Sequence, residues 1–176
     1  MTATPDLDAL TARLDRLEAE SAIRVVLVRY MEMCDRLDAS TDLIELGNLF
    51  AADATWVGTG ARYTAEFGEM RGRSAIVAMI ARYCTETPHF AMNAHFLTSE
   101  SIEVDGEVAC GGWVMLQTST YADGKSDLRS ARLLVYFARA DGRWRISRFA
   151  TENIFSRAID RWDDPASVTV RAGASQ

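Results

Sequence analysis

Lysine is almost missing: Lys125 is the only one in 176 residues, and the net charge is −6. Affinity for nucleic acid comes largely from clustered Lys and Arg, and here the arginines are scattered, so no nucleic-acid partner is expected. Histidine is nearly as scarce, with only His89 and His95. The three cysteines, Cys34, Cys84 and Cys110, are odd in number, far apart and in no metal-type pair. A zinc site is therefore not expected, nor a site for another metal. The thiols read as reduced, which suits a cytoplasmic protein. The first twenty residues, MTATPDLDALTARLDRLEAE, lack a basic stretch followed by an apolar run, so no secretory signal is expected. No apolar run reaches membrane-spanning length.

What is present is an ordinary globular composition, 48% apolar and 25% charged, enough for one domain with a substantial core. Leu7, Leu10, Leu14 and Leu17 recur at 3-4-3 spacing, a helical stripe that would pack on the domain or on a partner subunit. AIRVVLVRYMEMCDR has the apolar density of a buried helix, with Asp35 near its end. STDLIELGNLF offers Ser40, Thr41 or Asp42 as caps for a second helix. ATWVGTG reads as a short strand entering a Gly-rich turn. RGRSAIVAMIARYC reads as a third helix, capped by Ser74, with Ile76, Met79, Ile80 and Tyr83 on one face.

After Pro88 the period changes to two. HFLTSESIEV, EVACGGWVMLQTSTY, RSARLLVYFARA and RWRISRFATENIF are four strands separated by Asp-Gly turn signals. The second is apolar on both faces and must be covered on both. Helices first and strands afterwards is the α+β pattern. The expected architecture is a curved antiparallel sheet of five or six strands wrapped around three main helices, plus an extra N-terminal helix over residues 5–20. Such a cone encloses a blind, mostly apolar pocket for a small hydrophobic or aromatic molecule. Residues 1–176 read as one domain with a core at about 22–155 and a frayed tail at 163–176. The unpaired apolar surface predicts a homodimer or homotrimer.

The segments RYMEMCD, LFAADATW, MRGRSAIVAMI, HFLTSESIEVDGEVA and YFARADGRWRIS together resemble the SnoaL-like branch of the nuclear-transport-factor-2-like superfamily. Its members include scytalone dehydratase, bile-acid 7α-dehydratase and hexachlorocyclohexane dehydrochlorinase. The resemblance implies an Asp at the end of the first long helix paired with a His at the head of the strand after the third helix. Asp35 and His95 match those positions, and His95 stands ten residues before Asp105, the spacing implied. His89 falls outside that register. Tyr30, five residues before Asp35, matches a tyrosine of the bile-acid enzyme. Where that enzyme has a second acidic residue this chain has Gln117, and where relatives have an arginine in the last strand it has Asn153. The implied pocket is less charged.

The resemblance thus implies a cofactor-independent lyase or dehydratase, or a related isomerase. His95 would be the base, Asp35 its orienting partner and Tyr30 a hydrogen-bond donor. Trp56, Phe67, Trp113 and Met115 are candidate walls for an aromatic or polycyclic substrate, with Gln117 and Asn153 as polar contacts. A polyketide-type cyclase would use the same dyad. A non-catalytic small-ligand binder or an oxygenase small subunit would not need it.

Overall fold

The computed structural model describes residues 6–160; residues 1–5 and the expected tail at 163–176 lie outside the described residues. The two N-terminal helical segments are one helix, α1 (Leu7–Asp35), of 29 residues. The reason is in the sequence: no Gly or Pro interrupts positions 6–46, so nothing breaks the backbone ladder where the apolar stripe changes register. Asp6 caps its start, Oδ1 accepting from the amides of Asp8 and Ala9. The first half of α1 leaves Leu7, Leu10, Leu14 and Leu17 exposed, so these leucines do not pack on their own domain. The second half buries Ile23, Leu27, Tyr30, Met31 and Met33.

A short helix, α2 (Leu43–Asn48), follows, and of its three candidate caps Asp42 does the work, accepting from the amides of Ile44 and Glu45 at 2.9 Å each. Strand β1 (Phe50–Thr59) then runs into α3 (Gly60–Glu66), where only a turn was expected. Gly58 makes this helix possible, because a Cβ there would stand 2.3 Å from the Tyr63 carbonyl oxygen. After β2 (Glu69–Arg71) comes α4 (Arg73–Ala81), which buries Ile76, Met79 and Ile80. Its N-cap is Gly72 at φ +84°, not Ser74; the helix starts two residues earlier than the serine suggests.

Four long strands complete the fold: β3 (Phe90–Asp105), β4 (Val108–Tyr121), β5 (Ser126–Ala140) and β6 (Arg143–Ile159). The Asp-Gly hairpins fall as expected, with Gly106, Gly124 and Gly142 all at positive φ. The sheet order is β2-β1-β6-β5-β4-β3. One pairing departs from an all-antiparallel sheet: β1 lies parallel to β6. Parallel neighbours need a long connection, and the helices and hairpins between β1 and β6 supply it. Register shifts at Thr98/Ser101, Ser130/Ala131 and Tyr136/Phe137 bend the long strands. Their concave face closes on α1 and α4 around Phe50, Ile146, Val135 and Phe137, each no more than 1% exposed. Among the described residues no helix is long and apolar enough to cross a membrane.

Candidate active site

Because β3 is an edge strand, alternate backbone amides near its start point away from β4. The C-terminus of α1 meets them. Asp35, the last residue of α1, accepts from the His95 amide through Oδ2 at 3.3 Å, and its Oδ1 lies 2.6 Å from His95 Nδ1. Two residues earlier, Asn93 Nδ2 donates to the Cys34 carbonyl at 3.2 Å. The helix end is thus stapled to the strand head by two polar side chains on the same strand face. A carboxylate at a helix C-terminus faces the negative end of the helix dipole. The two bonds to His95 offset that cost. A neutral imidazole that donates to Asp35 here carries its proton on Nδ1 and keeps the lone pair on Nε2. The His95 side chain is 10% exposed, and Asp35 22%.

His95 lines a cavity of about 340 Å³. That volume lies at the lower end of the range for small-molecule sites. Trp56 and Phe67 form part of its wall, with Tyr63, Phe149 and Leu133, and Met115 and Gln117 come from β4. Trp56 stacks on Phe149 at 5.7 Å and meets Phe67 edge-on at 5.4 Å, so the wall is a rigid aromatic surface. Tyr30 is wedged edge-on between Phe50 and Phe149. Its hydroxyl accepts from Trp56 Nε1 at 3.1 Å and lies beside the Cys34 thiol. Burial, with the neighbouring thiol adding to it, pushes the Tyr30 phenol well above the usual tyrosine range. Burial likewise pushes the Cys34 thiol up to about 12. Both groups stay protonated at any physiological pH.

Gln117 stands opposite His95 in the β3–β4 register. Its Nε2 donates to Asn93 Oδ1 at 2.9 Å and to Ser119 Oγ at 3.2 Å, and Ser119 Oγ donates to the same Asn93 oxygen. One amide–hydroxyl network therefore ties β4 through Asn93 to the Cys34 carbonyl at the end of α1. Period two would have pointed to Asn93, which shares the strand face of His95, but its role depends on the position of α1.

Two expected substrate contacts do not line the cavity. Trp113 folds back over Gly111, where a Cβ would stand 2.2 Å from its ring. Its Nε1 donates to Glu100 at 3.2 Å and its ring meets Phe137 edge-on, so it fills the core instead. Asn153 pairs with Ala131 next to the register shift at Ser130/Ala131 and is not among the residues that line the cavity. There its Nδ2 is held by the Phe155 carbonyl, Ser156 Oγ and Tyr63 OH. His89, outside the expected register, does line the cavity, in an edge-on aromatic cluster with Tyr83, Phe90 and Tyr121. Glu66, Tyr121 and Arg129 also line it and carried no sequence signal. Among the described residues no three His, Cys, Asp or Glu side chains converge as a metal site would require.

A curved sheet wrapped over a long helix, with a half-open cavity inside, defines the nuclear-transport-factor-2-like class. Within it, residues 15–150 match the SnoaL-like domain model, and the chain belongs to that family. Among solved structures it is similar to a type 2 hexachlorocyclohexane dehydrochlorinase (LinA), with TM-score 0.70 and 19% identity over 88% of this chain and 99% of that one. An NTF2-like protein from Novosphingobium aromaticivorans aligns with TM-score 0.68 and 25% identity over 86% and 92% of the two chains. A candidate scytalone dehydratase from the same organism gives TM-score 0.67 and 18% identity over 84% and 95%. No match was found among curated proteins.

Proposed function

We propose that the protein is a cofactor-independent lyase of the dehydratase type, or a closely related isomerase, acting on an aromatic or polycyclic substrate. The observation that carries this reading is the 2.6 Å contact between His95 Nδ1 and Asp35 Oδ1 at the wall of an aromatic cavity. A histidine held this way presents Nε2 as a base. It takes a proton from carbon next to a carbonyl or aryl group, and the C–H electrons pass into the new double bond. The C–O bond breaks, the hydroxyl leaves with the bonding pair and takes the proton back from the imidazolium, so water and an alkene are the net products. Returning that proton to a different carbon instead gives the isomerase. Asp35 stabilises the imidazolium between the two transfers, and Tyr30 donates to the oxygen on which charge develops. The apolar surroundings exclude competing water.

The oriented, part-buried dyad favours an enzyme over a pure ligand binder, which has no use for an oriented base. The protein is further proposed to work as a homodimer or homotrimer in the cytoplasm. Solvent-exchange mass spectrometry tests the chemistry. Aryl ketones incubated with the protein in D₂O should gain deuterium at the α-carbon, and His95→Ala should abolish the gain. Uptake at the wild-type rate in that variant would remove the base and this function with it.

A further inference from the structure

The cavity has a second polar cluster that the proposed chemistry does not use. His95, Gln117 and Arg129 are cross-strand partners on β3, β4 and β5. At about 4.8 Å per strand, the backbone of Arg129 lies roughly 10 Å from that of His95, about the length of a fused-ring system. Among the described residues that line the cavity, Arg129 is the only arginine or lysine. Its orientation is fixed from behind. Nε donates to Asp127 Oδ2 at 2.9 Å, and Nη2 donates to Tyr121 OH at 2.8 Å. Tyr121 OH in turn donates to the same Asp127 oxygen at 2.8 Å, closing a ring of three side chains. Nη1 is different: its partner is Glu66 Oε1 at 3.8 Å, an ion-pair distance too long for a hydrogen bond. The Glu66 side chain is 39% exposed, so it can turn to solvent without stranding a buried charge.

We propose that Arg129 sets the substrate class: the cavity takes an aromatic or fused-ring carboxylic acid whose carboxylate replaces Glu66 at Nη1. A guanidinium held in a fixed plane suits a carboxylate better than a neutral oxygen, because the bond donated by Nη1 then joins opposite charges. The rings then lie between the aromatic wall and β4, which directs the opposite end of the molecule toward His95. The proposal rests on the cavity being a substrate site, but not on His95 acting as a base.

The test compares 2-naphthoate with 2-naphthamide, which share ring and shape but differ in charge, by calorimetric titration at pH 7.5. The acid should bind roughly tenfold or more tightly than the amide, the worth of one charge-assisted hydrogen bond. Arg129→Met should erase the difference. Since that change leaves Asp127 without its cation and could unfold the protein, Glu66→Gln provides an independent arm. Removing the competing carboxylate should tighten acid binding by roughly two- to fivefold and leave the amide unchanged. His95→Ala should keep the acid preference even where it abolishes exchange chemistry, so the two readings fail separately. Equal affinity for acid and amide, no binding of either, or no gain in acid affinity with Glu66→Gln would each overturn the proposal.

Discussion

Asp35 holds His95 at two points, the ring Nδ1 at 2.6 Å and the backbone amide at 3.3 Å. The first contact fixes the tautomer and the second fixes where the ring stands relative to the sheet. A single carboxylate thus couples the end of α1 to the wall of the cavity.

His95→Ala should lower turnover by roughly 10²–10⁴, the usual share of a general base, while the fold stays intact. Asp35→Asn should also lower turnover, because an amide at this place can accept from only one of the two His95 donors and no longer stabilises the imidazolium. Steady-state kinetics should show both losses in kcat, with KM little changed.

Trp113 is predicted to matter for stability and not for the site. Trp113→Phe removes the bond to Glu100 and part of the contact with Phe137, which should cost about 1–2 kcal/mol in urea unfolding. Ligand affinity should be unchanged. A loss of affinity without a loss of stability would mean that the ring reaches the substrate.

Cys34 should resist alkylation. With its thiol pushed up to about 12, almost no thiolate exists at pH 8, and iodoacetamide should label it only after denaturation. The same shift has a sign for stability. The folded state holds the thiol proton more tightly than the unfolded state, so the contribution is complete below about 9, the ordinary thiol value, and is lost as pH rises toward 12. Unfolding free energy should therefore fall across that window, and Cys34→Ala should flatten the fall. Peptide mapping and alkaline denaturation curves check the two halves.

Assembly is expected because the apolar surface is uncovered in one chain: the leucine stripe of α1, and Phe96, Leu134 and Tyr136 on the sheet. Light scattering should give two or three times 19.5 kDa. Leu134→Glu should shift the mass toward one chain; an unchanged oligomer would place the interface elsewhere.

His89 stands outside the family's histidine register, and that position by itself predicts a near-neutral His89→Ala. Its place in the cavity-lining cluster with Tyr83, Phe90 and Tyr121 now predicts a weaker ligand, by a few-fold at roughly the worth of one aromatic pair, with kcat preserved. Ligand titration separates the two.

Local rules were enough for much of this molecule. Period two and Asp-Gly pairs marked the four long strands, and the run Ser40, Thr41, Asp42 marked the start of a second helix, though only the structure shows Asp42 as its cap. The family's motifs singled out Asp35 and His95, although the two lie 60 residues apart. Their meeting depended on where α1 stops against an edge strand, which is a matter of tertiary packing. Period two also put Trp113 on the same strand face as Met115 and Gln117, yet the absent side chain of Gly111 lets the indole lean the other way, out of the cavity. Arg129 was invisible for the complementary reason: one scattered arginine among many acquires meaning only when register sets it beside Gln117, with Asp127 and Tyr121 fixing its plane. Sequence determined which groups could do chemistry, because that is a property of each side chain. Packing decided which of them share a cavity, because strand register, helix ends and missing Cβ atoms act between residues far apart in the chain.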